Sequence, residues 1–267
     1  MIARSYLFIP ANNPAVLEKA HTRGADALII DFEDSVAVAD KEKARQAFSA
    51  WINSAPIDQQ IWVRINHDSI EADLAVADNE RVTGIVVPKA DVEYMKYVSR
   101  SLTHVKSLCA LIESAESILD AREIAKVERV DFLQIGHLDL RAQLSMSEDG
   151  GLTTLKFAQS MLVFASAAAG INQPIAPVYP DFQNDAELRE SSKIFRGDGF
   201  FGRLCIHPSQ IAIVNEEFST TAEELAHAHA VLVAVARSTG AAVDEQGKMI
   251  DAASVRIAKG IIGRKSL

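Results

Sequence analysis

Short apolar runs alternate with longer helical patterns along most of the chain. Runs such as Ala27-Leu28-Ile29-Ile30 and Gly84-Ile85-Val86-Val87 are continuously apolar, which is typical of strands buried on both faces. The alternation of such strands with helices predicts β–α units and a parallel sheet. The predicted strands are Ser5–Ile9, Ala27–Asp31, Ile61–Asn66, Gly84–Pro88, Ser107–Glu113, Asp131–Gly136, Pro174–Tyr179 and Gly202–His207.

Eight strands with their intervening helices predict a (β/α)8 TIM barrel, a fold that takes about 250 residues. A doubly wound open sheet is the alternative, because periodicity alone does not distinguish the two. We assign residues 1–240 to the barrel and residues 241–267 to a C-terminal extension. The extension begins with a polar, turn-forming stretch and continues as a helix from about Ala252 to Gly263. We interpret it as a possible lid, or as an arm to a neighbouring subunit.

The composition describes a globular protein with an acidic balance. Of the 267 residues, 48% are hydrophobic and 24% are charged, and 27 Lys and Arg against 36 Asp and Glu give a net charge of −9. This balance argues against nucleic acid or an anionic membrane as the main partner. Cys109 and Cys205 lie in apolar runs without CxxC spacing, as expected for buried thiols in a reducing cytoplasm. Because we find neither a signal peptide nor an apolar stretch of about 18 residues, we expect a soluble cytoplasmic protein.

Polar residues close most of the predicted strands. In a β/α barrel the active site lies at the C-terminal ends of the strands, so these residues are expected to converge on one rim. They are Asp31, Glu33 and Asp34, then Arg64 and Asn66, Lys89, Glu113, His137 and Asp139, Tyr179 and Asp181, and His207. Helix N-capping is the favoured role for Asp34, Asp91, Asp181 and Ser209 when each is considered alone.

Arg64 and Glu113 are not explained by capping. Arg64 lies in the otherwise apolar run Trp62-Val63-Arg64-Ile65, where a cation is costly unless a carboxylate or an anionic ligand pairs with it. Glu113 ends an apolar strand, where an anion is likewise costly unless a cation pairs with it. Glu113 and Asp139 follow neighbouring strands and are placed to share a divalent cation, for which Mg²⁺ completed by water and substrate oxygens is the best match. A structural Arg–Glu ion pair is an equally weighted alternative.

Three other signals are discounted. The GxGxxG pattern at residues 197–202 precedes a strand, whereas a dinucleotide-binding fingerprint follows one, so we predict a helix-to-strand turn. His227 and His229 are two positions apart on a helix and face different directions. Lys89 at a strand end is interpreted as an ion-pair partner or anion contact rather than as a Schiff-base lysine.

The rim residues and their flanks resemble the citrate lyase β-subunit-like and malyl-CoA lyase branch of the metal-dependent aldolase family. The matching stretches run in order over nearly the whole chain and are highly specific for the family when taken together. They are residues 4–10, 12–14, 19–20, 24–26, 31–36, 63–66, 87–89, 111–115, 139–140, 205–211 and 247–251.

The resemblance implies a trimeric or hexameric TIM barrel that cleaves or forms a carbon–carbon bond in a 3-hydroxyacyl thioester, typically on coenzyme A, with Mg²⁺. Carried over by position, Glu113 and Asp139 are the implied metal ligands. Arg64 is implied to hold the oxygen of the carbonyl or enolate. Such preorganised charge is commonly worth ~3–4 kcal/mol per donor in the stabilisation of an oxyanion.

The resemblance also implies roles for residues other than Glu113, Asp139 and Arg64. Glu33 and Asp34 are implied to surround water at the metal. Asp251 matches an acidic residue that reaches into the neighbouring subunit's site as an acid or base, and Lys19 falls in the segment associated with phosphate contacts to coenzyme A. The alternative role for Asp251 is N-capping, because Ala252 begins a helical run.

The chain departs from the family pattern at three places on the expected substrate rim. Residues 141–145 replace a second acidic residue and a glycine, the loop at residues 67–74 is short, and Arg203 stands where lysine is frequent. The leading hypothesis is therefore a Mg²⁺-dependent lyase whose acyl group, for example citryl, malyl or citramalyl, is left open. The alternatives are a metal-dependent aldolase acting on free 2-oxo acids without a thioester, and a non-catalytic carrier-binding subunit.

Overall fold

The computed structural model describes residues 3–147, 150–238, 242–243 and 248–265. Its first compact unit, Ala3–Phe218, is a closed barrel of eight parallel strands in which each strand pairs with the next and the eighth pairs with the first. The TIM barrel prediction is therefore confirmed. The strands are β1 Ser5–Pro10, β2 Ala27–Asp31, β3 Gln60–Arg64, β4 Gly84–Val87, β5 Ser107–Ile112, β6 Val130–Ile135, β7 Ile175–Ala176 and β8 Gly202–Cys205.

Helices follow each strand of the barrel along the chain. They are α1 Pro14–Lys19, α2 Lys41–Trp51, α3 Ile70–Ala77, α4 Val92–Ser101, α5 Ala115–Leu119, α6 Ala121–Ala125, α7 His137–Gln143, α8 Leu152–Ala169, α9 Asp185–Gly197 and α10 Ser209–Glu217. Short 3₁₀ segments lie at Ala20–Arg23, Val38–Asp40 and Ile52–Ser54. Residues 198–201 connect α9 to β8, and Gly199 adopts a φ of 99° there, so the GxGxxG segment is the predicted turn.

Strands β3, β7 and β8 end two or three residues before their predicted ends. After β8 the N–H of Ile206 donates to Gln210 Oε1 at 2.9 Å. Strand β7 contains only Ile175 and Ala176, because the flanking Pro174 and Pro177 have no N–H to donate to a neighbouring strand. Strand β3 ends at Arg64, and the N–H of Asn66 donates instead to Asp73 Oδ2 at 2.6 Å.

The side chains of alternate strand residues fill the barrel interior. One buried cluster contains Ala3, Tyr6, Ala27, Ile29, Trp62, Val86, Cys109, Leu111, Phe132, Ile175 and Leu204. The residues between them in sequence pack outward in a larger core beneath the helices. Because Trp62 faces inward and Arg64 is two positions further along β3, this alternation directs Arg64 into the C-terminal mouth of the barrel.

The second compact unit contains the described residues from Ser219 onward. It consists of helix α11, Ala222–Arg237, a small antiparallel pair formed by β9, Ala242–Val243, and β10, Met249–Ile250, and helix α12, Ala252–Lys265. Ala228 and Val231 of α11 are buried together with Ala258 of α12. The described part of the predicted extension, residues 242–243 and 248–265, thus belongs to a larger C-terminal unit that also includes α11.

Helix α8 is long and apolar enough, by length and composition, to cross a membrane, and 28% of it is buried within the structure. Its inner face packs into the barrel core through Leu155, Ala158 and Leu162. Phe157 and Phe164 lie on the opposite, exposed side. Helix α8 therefore has an apolar outer face in addition to the face that covers the barrel.

Candidate active site

Arg64 is fixed at the mouth of the barrel by Asp31, the last residue of the neighbouring strand β2. The guanidinium donates from Nε to Asp31 Oδ1 and from Nη2 to Asp31 Oδ2, both at 2.7 Å. Asp31 is 1% exposed and also accepts the N–H groups of Glu33 and Ser35. Burial alone would raise the pKa of Asp31, but the hydrogen bonds and charge of Arg64 outweigh it and lower the pKa below its usual value. The pair is therefore ionised and rigid.

The remaining guanidinium nitrogen of Arg64 contacts two more carboxylates. Nη1 lies 3.0 Å from Glu33 Oε2 and 3.0 Å from Asp34 Oδ2. The Glu33 side chain is largely buried, whereas that of Asp34 is 71% exposed. Burial raises the pKa of Glu33 to about 7, and the nearby charges of Asp34 and Glu113 add to the effect against the opposing charge of Arg64. One cation thus faces three carboxylates, and the cluster has an excess of negative charge.

Glu113 follows β5 and is held by backbone groups rather than by a cation. Its Oε1 accepts the N–H of Lys89 at 2.6 Å, and Lys89 adopts a φ of 50°. A Cβ atom on Gly136 would lie 2.6 Å from Glu113 Cβ and 2.8 Å from Oε2, so only glycine leaves room for this side chain. Burial raises the pKa of Glu113 to about 7, with Asp139 and Asp34 adding to the rise. Within the described residues Glu113 has no ion-pair partner, so the alternative of a structural Arg–Glu ion pair is met by Glu33 and not by Glu113.

Asp139 and His137 are brought to the same mouth by helix α7. Asp139 lies in the first turn of α7 and is exposed. It is close enough for its charge to raise the pKa of Glu113. His137 begins α7 and is half-buried, and burial together with the charges of Arg203 and Arg141 lowers its pKa. Arg64, Glu113 and Asp139, which were selected from separate strand ends, therefore do converge.

These groups surround a cavity of about 360 Å³, which is within the usual range for a small-molecule site. One side of it is charged and the other is apolar. The cavity is lined by Phe8, Asp31, Asp34, Ser35, Arg64, Leu111, Glu113, Ile135, Gly136, His137, Leu138, Asp139, Val178, Leu204 and Ile206.

The donor set fits a Mg²⁺ ion that takes part of its coordination from other molecules. In the described part of the chain, no three His, Cys, Asp or Glu side chains are grouped as a complete metal cage. Glu113 and Asp139 instead offer two carboxylates, and the half-buried Glu113 has no cationic side chain paired with it among the described residues. Mg²⁺ is commonly bound by one or two carboxylates and completes its shell with water and substrate oxygens.

Three predicted site residues are not among those that line this cavity. Glu33 instead contacts Arg64, which is one of the lining residues. Lys19 is exposed at the end of α1. Asp251, in the C-terminal unit, accepts the backbone N–H of Ser254 at 2.7 Å and its hydroxyl at 2.8 Å. These bonds lower the pKa of Asp251 and are those of a helix N-cap. The capping role of Asp251 is thus present in the structure, and its role in a neighbouring site stays a prediction.

Arg203, which we expected on the substrate rim, lies elsewhere. It is buried between β8 and helix α9, where its Nη1 donates to Ser191 Oγ at 2.8 Å and to Ser192 Oγ at 2.9 Å. Burial lowers its pKa to about 10. The expectation was wrong because Leu204 faces the barrel interior and its neighbour Arg203 must face outward. The arginine at this position therefore does not line the cavity, although its charge contributes to the lowered pKa of His137.

The sequence analysis missed Gln134, a second polar residue within an apolar strand. Gln134 of β6 is fully buried, and neither amide atom has a hydrogen-bond partner among the described residues. It faces the same way as Phe132 below it and Gly136 above it, which places it beneath the cavity. The run Phe132-Leu133-Gln134-Ile135 carried the same signal that drew attention to Arg64.

We expect Gln134→Met to increase the free energy of unfolding by about 1–3 kcal/mol, because it removes a buried amide that gains no hydrogen bond. Chemical denaturation checks this. Gln210→Met is the matched control, since the amide of Gln210 is also buried but accepts the Ile206 N–H at 2.9 Å and donates to the Tyr179 carbonyl at 2.8 Å. Gln210→Met should destabilise the protein, and equal destabilisation by Gln134→Met would contradict the assignment.

Comparison with known proteins agrees with this geometry. A family model described as HpcH/HpaI aldolase/citrate lyase matches residues 4–208. The citrate lyase subunit beta of Escherichia coli (strain K12) is 30% identical over 99% of this chain and 93% of its own. The L-malyl-CoA/beta-methylmalyl-CoA lyase of Rhodobacter capsulatus is 31% identical over 97% of this chain and 93% of its own.

A solved structure extends the similarity to the fold. The crystal structure of protein CitE from Mycobacterium tuberculosis in complex with magnesium, acetoacetate and coenzyme A has a TM-score of 0.81 at 29% identity, and covers 99% of this chain and 98% of that one. The family expected from the sequence and its lyase class are both confirmed. The chain belongs to the HpcH/HpaI aldolase/citrate lyase family.

Proposed function

We propose that the chain is a Mg²⁺-dependent carbon–carbon lyase that cleaves or forms a 3-hydroxyacyl thioester of coenzyme A. The products of cleavage are an acyl thioester and a 2-oxo acid. The observation that carries the proposal is the placement of Glu113 and Asp139 in the same cavity as Arg64, with neither carboxylate in an ion pair within the described part of the chain. The relatives named above act on citrate or malyl-CoA, and the M. tuberculosis protein was crystallised with magnesium and coenzyme A.

The reaction requires the stabilisation of two oxyanions. Cleavage removes the proton of the 3-hydroxyl group and breaks the bond between that carbon and the carbon next to the thioester. The electron pair passes to the thioester as an enolate, which is then protonated. A bound Mg²⁺ supplies positive charge for the 2-oxo acid oxygens, and Glu113 and Asp139 are the residues that would hold it.

Arg64 is suited to bind the second oxyanion, the enolate oxygen of the thioester, because it can do so while it keeps its hydrogen bonds to Asp31. Asp31 holds Nε and Nη2, so the guanidinium keeps its position, while Nη1 contacts the exposed Asp34. Displacement of Asp34 from Nη1 gives a donor for the thioester carbonyl or enolate oxygen. Glu33 and Asp34 would then order water beside the ion.

Product analysis with three substrates tests the proposal. Purified protein is supplied with Mg²⁺ and malyl-CoA, citramalyl-CoA or free oxaloacetate, and the products are followed by mass spectrometry. Cleavage of a thioester supports the proposal. Turnover of free oxaloacetate alone would instead identify an aldolase that does not use thioesters, and the absence of any turnover would favour the non-catalytic subunit.

The proposal includes self-association, with Asp251 acting as acid or base in a neighbouring subunit and Lys19 contacting the phosphates of coenzyme A. The exposed Phe157 and Phe164 on α8 offer an apolar face that a second copy would cover. We propose a cytoplasmic location as well, because Cys109 and Cys205 are buried free thiols, as is usual in a reducing compartment. A trimer or a hexamer measured by light scattering would support self-association.

Mixed oligomers test the role of Asp251. Asp251→Asn chains and Glu113→Gln chains are each expected to be inactive, because each lacks one part of the composite site. Mixing them should recover part of the activity, since some sites then receive Asp251 from one chain and Glu113 from the other. If subunit exchange is shown by mass spectrometry and no activity returns, Asp251 has only its capping role.

A further inference from the structure

The apolar side of the cavity restricts which 2-oxo acid the enzyme accepts. Phe8 on β1, Val178 after β7, Leu204 on β8 and Ile206 after β8 line the cavity together with Leu111. The carboxylates lie on the other side, at the ends of β2, β5 and β6. Glu113 and Asp139 would hold the Mg²⁺ that binds the carboxylate and the oxo group of the substrate. The remaining substituent of that substrate therefore faces the apolar wall.

Positive charge is scarce in this cavity. Among the described lining residues, Arg64 is the one arginine or lysine. Its charge is already shared by Asp31, Glu33 and Asp34. Arg64 reaches the apolar wall only at Phe8, where its Cζ lies 4.9 Å from the ring centroid. A second substrate carboxylate placed against Val178, Leu204 and Ile206 would consequently contact aliphatic side chains, with no arginine or lysine among the described lining residues of that part of the wall. A carboxylate held in that way is disfavoured.

We propose that this cavity selects 2-oxo acids that have one carboxylate and a small alkyl group, of which pyruvate is the simplest, over dicarboxylates such as oxaloacetate. This inference rests on the proposed lyase function and specifies its substrate class. The alkyl group packs against Val178, Leu204 and Ile206 and gains from leaving water. The corresponding thioester is citramalyl-CoA rather than citryl-CoA.

Three thioesters provide a matched series, because they differ only in the substituent on the hydroxyl-bearing carbon. Malyl-CoA carries hydrogen there, citramalyl-CoA carries methyl, and citryl-CoA carries a carboxymethyl group. We expect kcat/KM for cleavage of citramalyl-CoA to exceed that for citryl-CoA by about tenfold or more, as is usual when a buried site must leave a charged group unpaired. An equal or higher value for citryl-CoA would overturn the inference. Failure of all three to react would refute the lyase function itself.

Ile206→Lys tests the apolar wall directly. Ile206 is 42% exposed, and its backbone N–H donates to Gln210, so a longer side chain can be accommodated at this edge. The added ammonium should raise kcat/KM for citryl-CoA relative to citramalyl-CoA. Ile194→Lys makes the same change at a residue that is 49% exposed on α9 and does not line the cavity, and the ratio should stay unchanged.

A binding measurement keeps the inference testable if Ile206→Lys does not fold. The melting temperature of the wild-type protein is measured with Mg²⁺ alone, with Mg²⁺ and pyruvate, and with Mg²⁺ and oxaloacetate. We expect pyruvate to give the larger increase at equal concentration. A larger increase with oxaloacetate would contradict the proposed selectivity.

Discussion

Replacing Arg64 by methionine is expected to lower kcat/KM by about 10²–10³-fold and the free energy of unfolding by about 3–5 kcal/mol. The activity falls because Nη1 no longer provides a donor for the enolate oxygen. The stability falls because Asp31, which is 1% exposed, keeps its charge and loses both of its 2.7 Å hydrogen bonds to Arg64. Initial rates and chemical denaturation at pH 7 check the two effects.

The stability difference should depend on pH in a known direction. In the wild-type protein the pKa of Asp31 is lowered below its usual value. Its contribution to stability is therefore present above the unfolded-state pKa of about 3.9 and is lost as the pH falls through the lower folded value. The gap between wild type and Arg64→Met should accordingly be large at neutral pH and shrink below about pH 4. A gap that is constant with pH would show that lost packing, not the ion pair, is responsible.

Arg45→Met separates the two effects of the Arg64 substitution. Arg45 also pairs with a fully buried carboxylate, because its Nη1 lies 2.9 Å from Asp73 Oδ1, but it does not line the cavity. Its replacement should destabilise the protein while leaving kcat/KM unchanged under conditions in which the variant is folded. A comparable loss of kcat/KM in Arg45→Met would mean that destabilisation alone explains the Arg64 result.

Glu113→Gln is expected to abolish stabilisation by Mg²⁺ and to lower activity by at least about 10²-fold. For the wild-type protein, Mg²⁺ at about 100 times its dissociation constant should add about 2.7 kcal/mol to the free energy of unfolding. The glutamine keeps the shape of the side chain but offers a neutral amide to the ion. Thermal unfolding with and without Mg²⁺ measures the effect, and Glu190→Gln, at an exposed position on α9, is the control that should respond like wild type.

Without Mg²⁺ the same substitution should be stabilising at neutral pH. Burial raises the pKa of Glu113 to about 7, so the folded protein binds this proton more tightly than the unfolded chain does. Metal-free wild type should therefore lose stability as the pH rises from about 4.3 toward 7, and Glu113→Gln should lose less. If both proteins respond identically to pH, Glu113 is ionised at no cost and the cavity is more polar than the structure indicates.

Much of the barrel follows from local pattern, because strands buried on both faces are continuously apolar. The ends of β1, β2 and β4 lie within a residue of their predicted positions. Strand β7 was predicted too long because its apolar run continues through Pro177, where hydrogen bonding to the next strand stops. Local pattern does not show such a break unless the missing N–H is considered.

The chemistry of the site was predictable where one residue was anomalous in its own strand. Arg64 and Glu113 stood out because a charge interrupts or ends an apolar run. Their partners were not predictable, since the pairing of Arg64 with Asp31 depends on the register of β2 against β3. Likewise, Arg203 was misplaced because the sequence does not reveal which strand residues face the barrel axis.

The contact between Glu113 and Gly136 links two positions that lie on different strands. A side chain at position 136 would lie 2.6 Å from the Cβ of residue 113, and every residue except glycine carries that Cβ. In a mutational library built on this chain, we therefore expect alanine at 136 to be excluded with glutamate, glutamine or aspartate at 113. The coordination geometry of the site can accordingly be retuned at position 113 while Gly136 is kept, but not by substitution at position 136.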